Sequence, residues 1–188
     1  MRAFVFVMFL FLQASLCFAN ASLVVEGSLM QVGKTIHYDP AYVALKYPGG
    51  DVPIERGVCA DVVVRALRHA GVDLQQAIHE DMKAHFDAYP NHWRLKKPDP
   101  NIDHRRVPNI VTYYTRQKKS LSLPVKTGNV RVGDLIAWEL PDGRPHIGVV
   151  TSTEDRDNIL LVHNIGAGAR QEAVLKDWKI TAHLRPFK

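Results

Sequence analysis

Cysteine is almost missing from this chain, which carries Cys17 and Cys59 and no others. A small scaffold stapled by several disulfides is thereby excluded, and stability has to come from burying apolar side chains. Long apolar runs are missing as well. The longest, Ala3 to Leu12, has about ten residues where a transmembrane helix needs roughly twenty. No segment repeats, and none is low in complexity. No tight ligand spacing such as His-Glu-x-x-His appears, so neither a metal nor another cofactor is expected. Charge of one sign is only mildly in excess: 24 basic against 19 acidic residues give a net charge of +5, a weak match to an acidic polymer surface.

What is present at the start is a leader pattern. Met1-Arg2 supplies a positive charge, the apolar run follows, and Ala19-Asn20-Ala21 fits the small-x-small site of signal cleavage. We therefore expect a signal peptide over residues 1–21 and export to the periplasm or the medium, with no stable membrane anchor afterwards. Leu16 before Cys17 stands where a lipoprotein would need a small residue. Residues 22–188 then number 167, enough for one domain with a proper core and too few for two ordinary ones.

Cleavage at that point leaves Cys59 as the sole thiol. An unpaired thiol in an oxidising compartment invites oxidation, so it needs a reason to be there. The run from Cys59 to Ala70, with apolar residues at three-and-four spacing and Gly71 behind it, predicts a helix opened by Cys59. Unsatisfied N–H groups at a helix start favour a thiolate, which suits a nucleophile. A buried cysteine acting as a small hydrophobe is the plain alternative.

Elsewhere the pattern predicts a first short helix from Ser22 to Val32, interrupted by Gly27, and a turn-rich stretch through Tyr38-Asp39-Pro40 and Tyr47 to Pro53. Asp73 caps a helix carrying Leu74, Ile78, Met82 and Phe86. With Pro98, Pro100 and Pro108, the segment Leu95 to Asn109 reads as a long ordered loop. Its polar concentration, including Asp103, His104 and Arg105, makes it a candidate for substrate contact, against the reading of a merely solvated loop. A helix from Asn109 to about Lys118 follows. After Lys126 the chain turns to strands: Leu135 to Trp138, Ile147 to Val150, Ile159 to Val162 and Ile180 to Leu184. The fold class is α+β, with the Cys59 helix packed on a C-terminal antiparallel sheet.

His146 opens one of these strands and His163 ends the next, so antiparallel pairing brings them to one edge. A cysteine nucleophile needs a base, and the base needs a group that holds its ring. Cys59, His146 and His163 supply each part once. A histidine at a strand end is nonetheless more often structural.

In order along the chain, Met30-Gln31-Val32-Gly33, Tyr47-Pro48-Gly49-Gly50, Gly57-Val58-Cys59, Gly133-Asp134-Leu135-Ile136, His146-Ile147-Gly148-Val149-Val150 and Val162-His163 resemble the NlpC-like cysteine peptidases, papain-like enzymes that cut bacterial cell-wall peptides. His37 to Pro40, Pro98 to Pro108 and Val162 to Gly168 resemble more closely a bacterial family catalogued as a domain of unknown function. The resemblance implies a papain-like fold, with Cys59 as nucleophile, His146 as base and His163 orienting it. It also implies an oxyanion role for Tyr47 beside the Cys59 N–H, and peptidoglycan stem peptides as partner and substrate. The motif departs at its centre: Val58 precedes the cysteine and Ala60-Asp61 follow it, where Asp-Cys-Ser-Gly is usual. Asp61 can cap the helix or contact a cationic group, and it can raise the thiol pKa by like charge.

Other readings compete. A wall-binding module without turnover would explain the altered motif, and a thiol acyltransferase would use the same nucleophile. A metal site would draw on His37, Asp39, His79, Glu80, Asp103 and His104. Nucleic-acid binding would use Lys96-Lys97, Arg105-Arg106 and Lys118-Lys119, but no recognised motif accompanies them, so no nucleic-acid partner is expected. Nothing in the sequence bears on oligomeric state.

Overall fold

The computed structural model describes residues 19–187; the expected leader run Ala3 to Leu12 and Cys17 lie outside them. Helix α1, described over residues 19–29, crosses the cleavage point expected after Ala21. Gly27, which reads from sequence as a weakness in this helix, is there for packing. A Cβ at that position would lie 2.6 Å from the His69 Cβ, so glycine lets α1 sit directly on the next helix. The side chain of Gln31 fixes the same crossing by donating to the carbonyls of Gly27 at 3.0 Å and Val62 at 2.9 Å.

That next helix, α2 (Cys59–His69), is buried from Cys59 through Leu67. Its covering is the preceding turn-rich segment, which contains two short parallel strands, β1 (His37–Tyr38) and β2 (Arg56–Gly57). Arg65 of α2 organises this cover. Its guanidinium donates to the Asp51 carboxylate at 2.8 Å, to Thr35 Oγ1 at 3.1 Å, and to the carbonyls of Val52, Pro53 and Arg56. Gln75 joins the cover to the next helix by accepting from Gly50 N–H and donating to the carbonyls of Lys46 and Pro100. A segment rich in Gly and Pro is thus held by buried polar side chains that satisfy its backbone.

Helix α3 (Leu74–His85) begins where Asp73 accepts from Gln75 N–H at 3.0 Å, and a 3-10 turn, Phe86–Ala88, ends it. The Leu95 to Asn109 stretch is more regular than expected. A 3-10 turn spans Asp103–Arg105, and α4 runs from Val107 to Arg116 rather than from Asn109. Pro108 falls in the first helical turn, where its missing N–H costs nothing because those donors lack intrahelical partners anyway.

Five antiparallel strands complete the α+β fold: β3 (Leu135–Glu139), β4 (Pro145–Ser152), β5 (Leu160–Asn164), β6 (Ala169–Glu172) and β7 (Lys179–Leu184), in the order β6-β5-β4-β3-β7. Alternation sorts the strand side chains to two faces. Leu135, Ala137, Ile147, Val149 and Leu184 join the helical core with Val63, Leu67, Ile78 and Ile110. Ile136, Trp138, Val150 and Leu161 form a second core with Leu175 on the other face. No helix among the described residues is long and apolar enough to cross a membrane.

Candidate functional site

Three elements meet at the end of the sheet that carries the start of β4. The helix α2 presents Cys59 there, β4 presents His146, and the stretch before α4 presents Arg105 and Arg106. Together with Tyr38, Trp93 and Arg144 they line one cavity of about 220 Å³. Cys59 and His146 stand on its wall, although no hydrogen bond joins them among the described residues. His146 shares a sheet face with its register partner Trp138, while Ile147 faces α2. The two side chains therefore share the cavity at the sheet's end and do not pack against each other across the helix–sheet interface.

The histidines are paired. His146 Nε2 and His163 Nδ1 lie 2.9 Å apart, with both rings buried and set edge to face. Trp138 stacks on His146, and Trp178 stands edge-on to both imidazoles. The far nitrogen of His163, Nε2, is 3.1 Å from the Glu172 carboxylate, off the direction of a well-aligned hydrogen bond. This order sets a tautomer chain. A carboxylate favours a proton on His163 Nε2, which leaves Nδ1 as acceptor, so His146 Nε2 must donate and His146 Nδ1 keeps a lone pair.

Charge at the site is governed by burial. The Cys59 thiol lies beside the N–H groups of Ile147, Ala60 and Cys59 itself, which favour a thiolate. Desolvation nevertheless outweighs them and, with the Asp61 charge nearby, pushes the thiol pKa up to about 12. The lowered pKa expected at a helix start is overturned here, because the loop covering α2 removes the water that would share the charge. Desolvation, with His163 and Arg144 adding to it, pulls His146 down to about 3. His163 is also lowered by burial, against the pull of Glu172. At neutral pH the resting pair is an uncharged thiol and an uncharged imidazole.

Asp61 is a buried structural ion. Its carboxylate receives Arg105 Nε at 2.8 Å and Nη2 at 3.0 Å, and Oδ2 accepts Val58 N–H at 2.6 Å. The capping role expected of it is present, and its charge is matched by Arg105 rather than left for a cationic ligand. Arg105 also donates to the carbonyls of Ala41 and Asp39, so it ties three segments together behind the cavity.

The other expected contact residues go elsewhere. Tyr47 is not on this cavity wall: its hydroxyl donates to Glu80 at 2.7 Å and its ring meets His79. The turn-rich segment is long enough to carry it out to α3, and Tyr38 takes the place beside Cys59 instead, with its hydroxyl pKa raised by burial and by the Cys59 charge. Asp103 and His104 are buried but absent from this cavity. Asp103 accepts from Asp99 N–H and Arg106, and burial lowers the His104 pKa to about 4. Among the described residues no group of three or more His, Cys, Asp or Glu side chains is arranged to hold a metal. Sequence reasoning passed over Tyr38, Glu172 and Arg144. Only the aromatic in His37-Tyr38-Asp39-Pro40 offered a signal, since Glu172 lies on a polar strand and Arg144 in a turn.

Fold and site together define the class: an α+β protein whose described residues place a buried thiol, Cys59, and a histidine, His146, on one cavity, with His163 paired behind that histidine. The chain belongs to the family described as "Domain of unknown function (DUF1287)", which matches residues 25–186. It is similar to the Escherichia coli (strain K12) protein called Uncharacterized protein YijF, 52% identical over 171 residues that make up 90% of this chain and 83% of that protein.

Proposed function

We propose that this chain is an exported thiol hydrolase of the papain-like, NlpC type that cleaves an amide bond in peptidoglycan stem peptides. The observation that carries the reading is that His146, paired at 2.9 Å with the buried His163, lines the same cavity as Cys59, an arrangement that a lone structural cysteine does not need. In this reading His146 Nδ1 takes the Cys59 proton as Sγ bonds to the amide carbon. The Cys59 and Ala60 N–H groups at the start of α2 stabilise the oxyanion. The C–N bond then breaks, the amine leaves with the proton held on His146, and water attacks the thioester to release the acid and restore the thiol. His163, with Glu172 behind it, keeps His146 in the tautomer that can accept.

Purified sacculi digested by the parent protein and by Cys59→Ala test this. We expect soluble fragments with new amine or carboxyl ends from the parent alone. Equal release by both proteins would refute the reading. Tight binding to sacculi with no release by either would favour the non-catalytic wall-binding reading, which the raised thiol pKa supports. Transfer of the acyl group to an added amine would indicate an acyltransferase.

A further inference from the structure

The cavity beside Cys59 is walled by three arginines, Arg105, Arg106 and Arg144, and, among the described residues, by no acidic side chain. Their carboxylate partners stand behind or outside the wall. Asp61 and Asp103 are buried beneath it, and Asp142, the exposed partner of Arg144, lies outside the lining. Each ion pair is thus oriented with its positive end toward the cavity.

The three guanidinium groups differ in what they have left to offer. Arg105 gives four hydrogen bonds, two to Asp61 and one each to the carbonyls of Asp39 and Ala41. Arg106 donates through Nη1 to Asp103 and lies 3.9 Å from the centre of the Trp93 ring, which holds its plane at the cavity. Among the described residues the Arg144 side chain is joined only through Nε to Asp142, at 2.7 Å. That pair is exposed on both sides, and such pairs contribute little and exchange readily. Arg144 is also close enough to Cys59 for their charges to interact.

We infer that the cavity recognises a carboxylate carried next to the scissile amide, with Arg144 as the principal contact and the Arg106–Trp93 pair as the second wall, so that the substrate is an acidic peptide. This rests on the reading of Cys59 as nucleophile. A guanidinium fork suits a planar carboxylate, and a desolvated cleft of one sign concentrates ligands of the other.

Two measurements separate the inference from the reading beneath it. In the first, N-acetylglutamate and its diamide are titrated by NMR into the Cys59→Ala protein and into Cys59→Ala with Arg144→Gln. We expect the acid to bind about tenfold more tightly than the diamide, at the low end of such focusing, and the difference to vanish in the double variant and survive only in part in Arg144→Lys, which keeps the charge and loses the fork. Equal binding of acid and diamide, or a preference that Arg144→Gln leaves intact, would overturn the inference. In the second, the parent is alkylated with iodoacetate and with iodoacetamide. A rate ratio above that of free cysteine, reduced by Arg144→Gln and by salt, supports the inference, and a ratio equal to that of free cysteine counts against it. No reaction with either reagent would sink the nucleophile reading, and the titration alone would then decide whether the cavity binds carboxylates.

Discussion

Asp61→Asn should weaken the fold and sharpen the thiol at once. The two effects come from one carboxylate. In the folded chain Asp61 and Arg105 are almost wholly buried and joined by two short hydrogen bonds. Removing one charge of such a pair leaves the other desolvated, which costs about 3–5 kcal/mol. Asparagine keeps an acceptor oxygen, and Arg105 keeps the carbonyls of Ala41 and Asp39, so we expect a loss near the lower end, about 3 kcal/mol. Urea denaturation at constant m-value reads it directly. The Asp61 charge also opposes a Cys59 thiolate, while Arg105, freed of its partner, would attract one. The thiol pKa should therefore fall, and iodoacetamide should react faster at pH 8 in the folded variant. An unchanged denaturation midpoint, or a slower alkylation, would refute the placement of this ion pair beneath the thiol.

Glu172→Gln should slow Cys59 alkylation at pH 7 by up to about fivefold, because the pair is exposed on the glutamate side and such pairs are worth about 0–1 kcal/mol. An unaltered rate would remove Glu172 from the chain of groups behind His146. Stability should also fall on mild acidification. His104 and His146 have folded pKa values near 4 and 3, below the unfolded value of 6.5. The unfolded chain thus binds protons first, and the stabilisation present above 6.5 is lost as pH falls toward those folded values, by about 1.4 kcal/mol per pH unit for each histidine. A denaturation midpoint that stays flat from pH 7 to pH 5 would contradict the buried, neutral state of these rings.

The legible parts of the fold are those set by local pattern. Helices α2 and α3 follow from apolar spacing bounded by Gly71 and by the Asp73 cap, and β3, β4, β5 and β7 from apolar runs with turn residues between them. His146 and His163 could be placed together because strand register decides which ends meet. What stayed hidden depends on long-range covering. Strand β6, Ala169–Glu172, has no apolar alternation because it is an edge strand, so Glu172 was missed with it. Asp61 and Arg65 lie within the largely apolar run from Cys59 to Leu67 of α2, and nothing local says whether such charges face water. Here the segment between α1 and α2 folds back over them. The thiol pKa is hidden for the same reason: the helix start is visible in sequence, but its desolvation is not.

Burial of this kind constrains how the proposed chemistry can begin. With the thiol pushed up to about 12 and His146 down to about 3, a preformed thiolate–imidazolium pair is negligible in the empty cavity, so proton transfer must accompany attack on the substrate. Arg144 is among the groups that depress His146. A substrate carboxylate seated on Arg144 would cancel that charge and raise the basicity of His146 at the moment an amide enters the cavity. The same contact would then serve both selection and activation. A neutral substrate that fits the cavity equally well would lose rate in the step that forms the C–S bond, and not only in binding.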